Sequence, residues 1–128
     1  MGRRGVRRRG DDVTVGAALV ELHVHGSQSL KQKRGVVKSI LHRLRNHHNV
    51  SAAEVGGQET WQRAVLGISA VGLDEMRVRR SLERAVEFID SLHLADMRAS
   101  DIEIVELPYA LEGAGRIDEA ERLPWEED

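Results

Sequence analysis

The sequence predicts an α+β domain in which one antiparallel sheet carries two helices on one face. Two segments repeat apolar residues at helical spacing, and each follows a helix-capping residue. Four other segments are short, rich in Val, Ile or Leu, and bounded by glycine, proline or polar residues, as strands are. Their order along the 128 residues is strand, helix, strand, strand, helix, strand. This length supports a single core and excludes a second folded domain.

The first strand and the first helix are separated by a short polar turn. Residues 13–25 form the strand, because apolar residues alternate there with a set that includes one glutamate and two histidines. The helix is predicted over residues 29–46. Ser29 and Gln32 have the spacing of a capping box, and apolar residues follow at positions 30, 36, 37, 40, 41 and 44.

The middle of the chain contains two strands joined by a glycine turn. Val50–Val55 is the shorter strand, and Gly56-Gly57 marks the turn after it. Trp61–Val71 is longer and alternates regularly along its length.

The second helix and the last strand complete the pattern. Asp74 caps the helix, and Pro108 ends a strand over Ile102–Leu107. The order βαββαβ is that of the ferredoxin-like fold, a four-stranded antiparallel sheet with two helices on one face. The helix carries an apolar stripe of Val78, Leu82, Ala85, Val86, Ile89 and Leu92.

The helix-free face of this sheet is predicted to be partly covered. In the last strand, Ile102 and Ile104 on one side and Val105 and Leu107 on the other are all apolar. We expect a partner subunit or the C-terminal segment to cover that face.

Charge is distributed in blocks, although the formal net charge is only −2. Residues 1–10 hold five Arg and no acid, residues 22–53 hold six Lys or Arg and no acid, and residues 109–128 hold seven acids and two Arg. Terminal charge blocks are typical of disordered tails. We therefore expect a disordered Arg-rich tail over 1–12, one ferredoxin-like domain over 13–108, and an acidic tail at the C-terminus.

Composition excludes several classes of function. The absence of Cys removes disulfides, thiolate metal sites and cysteine nucleophiles, and it fits a reducing cytoplasmic location. Four aromatic residues cannot form a platform that stacks several bases. No segment approaches the length of a membrane span, and no triad, phosphate loop or dinucleotide fingerprint is present. We expect no catalytic activity, no cofactor and no bound metal.

The start of the first helix is the strongest candidate site. Cations crowd a helix end whose dipole favours anions, with no carboxylate nearby in sequence. An anion would resolve this conflict, and an exposed basic helix start is the simpler alternative. The candidate anion- or nucleic-acid-binding residues are Ser27, Gln28, Ser29, Lys31, Lys33, Arg34 and Lys38, with Arg45 and His42 extending the surface.

A second group of candidate contact residues lies on the helix-free sheet face. Glu21, His23 and His25 alternate along the first strand and could share a metal, but pairing of Glu21 or His23 with Arg63 across the sheet is the simpler expectation. Trp61 could stack one base, or it could shield the edge of the core with Arg63 beside it.

A set of short motifs is spread over residues 14–107: Gly26-Ser27-Gln28-Ser29-Leu30-Lys31-Gln32-Lys33-Arg34, Val37-Lys38, Asn49-Val50-Ser51, Ala53-Glu54-Val55, Trp61-Gln62-Arg63 and Leu66-Gly67. In these motifs and their order the chain resembles the YlxP-like family of bacterial proteins. The resemblance implies a ferredoxin-like fold, no established activity, and genes adjacent to translation-initiation and ribosome-maturation genes. This chain departs from the family pattern at Gly56-Gly57, where an acid and His are common, and at His25, where Pro is common.

Together these observations predict a non-enzymatic module that binds RNA or the ribosome through its basic first helix. Such a module would contact phosphates and shape rather than bases. Two alternatives stay open: a homo-oligomeric interaction module that uses the helix-free sheet face, and a domain that binds phosphate or another small anion.

Overall fold

The structure, a computed structural model, describes residues 12–108 and contains the six predicted elements in the predicted order. The predicted tails, 1–12 and 109–128, lie outside the described residues, except that residue 12 begins the first strand. The elements are β1 (Asp12–His23), α1 (Leu30–His47), β2 (Ser51–Gly56), β3 (Arg63–Gly72), α2 (Glu75–Ser91) and β4 (Asp96–Pro108).

All four strands form one antiparallel sheet in the order β2-β3-β1-β4. Alternate residues of β1 and β3 point toward the helices and are buried, and both helices contribute to the same core. The predicted α+β, ferredoxin-like architecture is therefore confirmed. The central core side chains, all at most 2% exposed, include Val20, Leu22, Ile40, Leu44, Leu66, Ile68, Leu82 and Ile89.

Both predicted helix caps are present. The Ser29 hydroxyl accepts a hydrogen bond from the backbone N–H of Gln32 at 3.1 Å, and the Gln32 side chain accepts one from the backbone N–H of Gln28 at 2.7 Å. Asp74 accepts from the backbone N–H of Arg77 at 2.9 Å. These bonds satisfy donors that a helix start leaves without intrahelical partners, so each helix begins where the sequence predicts.

Strand β4 is longer than predicted. It begins at Asp96 rather than Ile102, and its first half pairs with the end of β1 around an irregularity between Glu21 and Leu22. The added residues are mostly polar and exposed because β4 is an edge strand. They therefore lack the apolar alternation that identifies a strand in sequence.

Gly16 in β1 lets α2 approach the sheet closely. A Cβ atom there would lie 2.7 Å from both Leu82 Cδ1 and Val78 Cγ1. The close approach of α2 thus depends on the absence of a side chain at this position.

Neither helix within residues 12–108 combines the length and the apolar character needed to cross a lipid bilayer.

Candidate nucleic-acid interface

The start of α1 is hydrogen-bonded to the turn between β2 and β3. The backbone N–H of Val24 donates to the carbonyl of Gln62 at 2.8 Å, and the Gln62 side chain donates to the carbonyl of Ser27 at 3.1 Å. The segment that leads into α1 and the turn at 57–62 therefore form one hydrogen-bonded unit at this end of the sheet.

Lys33 is not on the surface, contrary to the prediction. Its side chain is fully buried, and its ammonium donates to Glu54 Oε2 at 2.8 Å and to the carbonyl of Gly57 at 2.7 Å. Lys33 precedes Val37 by four residues and Leu44 by eleven, so it shares the core-facing side of α1. This helical spacing could have identified Lys33 as a core-facing residue from the sequence alone.

The serine hydroxyls predicted to face an anion are also used within the fold. Ser27 is buried, and its hydroxyl donates to the carbonyl of Ser29 at 3.1 Å. Ser29 caps α1, and Gln28 is exposed with its backbone N–H bonded to Gln32. The predicted convergence on one anion is therefore wrong for Lys33, which is buried, whereas anion binding by Ser27 and Ser29 stays a prediction.

The remaining predicted cations form an exposed row along α1, which we call the cationic stripe: Lys31, Arg34, Lys38 and Arg45. Spacings of three, four and seven residues place them on one side of the helix. Arg45 donates to the carbonyl of Ala52, so this side flanks β2. The first turn of α1 contains no acid.

On the helix-free face, Glu21 and Arg63 form the predicted cross-strand ion pair, with Arg63 Nε 2.7 Å from Glu21 Oε2. His23 is the cross-strand neighbour of Arg63, and its ring lies edge-on to that of His25 with centroids 4.4 Å apart. Trp61 precedes β3 instead of lying within it, and it is about half exposed in the turn. Within residues 12–108, no three His, Asp or Glu side chains are grouped to hold a metal.

His25 pairs with Asp96, a contact that the sequence did not suggest because β4 was predicted to start later. The hydrogen bond from His25 is the main cause of a lowered Asp96 pKa. Desolvation opposes it, and the charges of His25, Arg98 and His23 lower the pKa further by smaller amounts. A lowered pKa in the folded state stabilises the fold above the usual Asp range. That contribution is lost as the pH falls through the lowered value.

We expect His25→Ala to raise the pKa of Asp96 toward its usual value of 3.8. The measurement is an NMR titration of the Asp96 carboxyl carbon in both proteins. His42→Ala, on α1, is the matched control and should leave this pKa lowered. An Asp96 pKa that does not respond to loss of His25 would contradict the assigned cause.

Fold and surface together define a small ferredoxin-like α+β domain with a basic helix flank. The family described as "Protein of unknown function (DUF503)" matches residues 15–104, and the chain belongs to this family. A curated relative, "Uncharacterized protein YlxP" of Bacillus subtilis (strain 168), is 44% identical over 77 residues, which cover 60% of this chain and 84% of the relative. The resemblance drawn from the sequence motifs is therefore confirmed.

Two solved structures show weak similarity to this chain. The de novo designed protein Foldit4 has 18% identity and a TM-score of 0.35, covering 74% of this chain and 94% of its own. SnoaB, a cofactor-independent oxygenase from Streptomyces nogalater, has 15% identity and a TM-score of 0.36, covering 74% and 91%. Similarities this low imply nothing about activity.

Proposed function

We propose that this protein is a non-enzymatic binding module for RNA or the ribosome, acting in the cytoplasm. The cationic stripe is the contact surface. The observation that supports the proposal is the row of four exposed cations on one side of α1, in a region without carboxylates from residue 22 to 53.

The length of the cationic stripe favours a polyanion over a single phosphate. Residues 31 and 45 are separated by about 21 Å along a helix. This distance matches several successive phosphates of a nucleic-acid strand. The small-anion alternative is weaker because Ser27 and Lys33, which would have contributed to a compact site, are buried.

Contacts to phosphates rather than to bases fit the aromatic content of the domain. Of the described aromatic residues, Trp61 is exposed, whereas the Phe88 ring packs against the rings of His47 and His48. One exposed ring cannot read a sequence of bases. The module would therefore recognise RNA by phosphate positions and shape.

The test is co-sedimentation with purified ribosomal subunits across a salt series. Replacing Lys31, Arg34 and Lys38 by Gln should weaken binding about tenfold or more near 0.1 M salt and make the log–log salt slope less steep by about 2 to 2.7. Lys33 is left unchanged, because its loss would disturb folding.

A matched control removes three cations elsewhere. Arg80, Arg84 and Arg98 are exposed and lie away from α1, on α2 and β4. Their replacement by Gln changes the net charge equally and should retain most of the binding and the slope. Equal losses in the two triple variants would indicate a nonspecific charge effect, and unchanged binding of the α1 variant would reject the proposed surface.

A further inference from the structure

The helix-free face of the sheet exposes more large apolar side chains than a solvated face normally does. Leu19, Val55, Val71, Val105 and Leu107 are each at least half exposed. In the sheet register, Val71, Val15 and Val105 form one apolar row across three strands, and Leu107 pairs with Val13 in the next. Leu19 lies on the same face, two rows from Val15. Contiguous exposed apolar area of this kind marks an interaction surface.

A shallow hollow of about 270 Å³ lies beside Leu19 on this face. Its floor is made of small residues, with Gly67 and Ser69 on β3, Ala53 on β2 and Ala17 on β1. Leu19 is the direct cross-strand partner of Gly67. A protruding leucine thus stands next to a depression that a leucine side chain could fill.

We propose that two copies of this chain associate through this face, with the Leu19 side chain of each copy in the hollow of the other. A two-fold axis that runs parallel to the strands between β1 and β3 places β1 of one copy over β3 of the other. Leu19 and Gly67 are cross-strand partners in the register. This one rotation therefore places Leu19 of each copy over Gly67 of the other. The face is therefore complementary to itself.

This arrangement keeps the β4 acids of the two copies apart. On β4, Asp101 is the cross-strand partner of Leu19, and Glu103 is the cross-strand partner of Ala17. Under the same axis, β4 lies over β2 of the second copy. The residues of β2 on this face are Ser51, Ala53 and Val55, none of which is charged. The acids of the two copies are consequently kept on opposite edges of the interface.

The area of the helix-free face is also large enough for a specific interface between two copies. Four strands spaced about 4.8 Å apart and roughly 30 Å long present about 600 Å² per copy. Two such faces reach the roughly 1,200 Å² at which specific, stable interfaces begin. A second copy fits better than the C-terminal segment, because residues 109–128 hold seven acids and the face already carries the acids Asp101 and Glu103 of β4.

Analytical ultracentrifugation of the full chain from about 1 to 200 μM tests the proposal, since concentration drives a dimer by mass action. The wild type should show a dimer population that grows with concentration. Leu19→Glu and Ser69→Arg should each raise the dissociation constant at least about 100-fold. Met76→Glu, at an even more exposed apolar position on α2, should leave it unchanged.

Circular dichroism melts of the three variants separate a lost interface from a lost fold. A wild type that stays monomeric at the highest concentration overturns the proposal. So does a folded Leu19→Glu variant with wild-type association. The cationic stripe lies on the helix side of the sheet, so the Gln variants of Lys31, Arg34 and Lys38 should dimerise normally whether or not RNA is bound.

Discussion

Replacing Glu54 by leucine is expected to destabilise the folded chain by about 3–5 kcal/mol, because it leaves a buried charge without its counterion. The Lys33 ammonium is fully buried, and its described partners are the Glu54 carboxylate and the Gly57 carbonyl. Without Glu54, a single neutral acceptor would face a full positive charge away from water. This is among the most costly changes that a single substitution can make.

Replacing Lys33 by methionine should cost less, about 1–3 kcal/mol. Methionine fills most of the volume of the lysine stem, and the Glu54 side chain is 17% exposed and can turn toward solvent. The two partners of one ion pair should thus differ in their effect, with loss of the acid more harmful than loss of the base.

The Lys33→Met/Glu54→Leu double variant should be more stable than the sum of the two single effects implies, with a coupling of about 1–3 kcal/mol. Urea denaturation followed by circular dichroism measures all four corners of this cycle. The exposed Arg79–Glu75 pair on α2 is the matched control, and its cycle should give about 0.5 kcal/mol or less. Equal costs for the two single Lys33 and Glu54 variants would contradict the asymmetry argued from their burial.

Gly16→Ala is expected to destabilise the protein by about 1–3 kcal/mol, the usual cost of overpacking a core. The new methyl group would lie 2.7 Å from side-chain atoms of both Val78 and Leu82, so α2 must shift or those side chains must leave their preferred rotamers. Shortening Leu82 to alanine would remove one of the two clashing side chains. Gly16→Ala should therefore lower the free energy of unfolding by less in a Leu82→Ala background.

The same substitution at Gly35 should have the opposite sign. Gly35 lies within α1, and a Cβ there meets no atom within 4 Å. Alanine should therefore stabilise by about 0.5–1 kcal/mol through its higher helix propensity. Thermal melts of Gly16→Ala and Gly35→Ala should shift in opposite directions, and a Gly16→Ala protein as stable as the wild type would show that α2 does not need the close approach.

The fold was predictable because its elements carry local signals. Ser29 and Asp74 start the helices through bonds to residues three positions away, and the alternation in β1 and β3 records which face is buried. The first half of β4 carries no such signal, since its pairing with β1 depends on partners about 75 residues away. The register between such distant strands is set by contacts in the folded sheet, so the strand's own sequence does not reveal it.

The candidate site was predictable only in part. The exposure of Lys31, Arg34 and Lys38 agrees with the sequence interpretation, and so does the Glu21–Arg63 pair. Lys33 was predicted to be exposed because lysine is usually a surface residue, although its position on α1 faces the core. RNA binding, the absence of catalysis and the absence of a cofactor stay predictions.

The pairing of Asp12 with Pro108 joins the two charged terminal segments to the sheet at neighbouring positions. Residues 1–10 carry five Arg, and residues 109–128 carry seven acids against two Arg. Because β1 and β4 are antiparallel neighbours, these two oppositely charged segments attach to the sheet at adjacent strand ends.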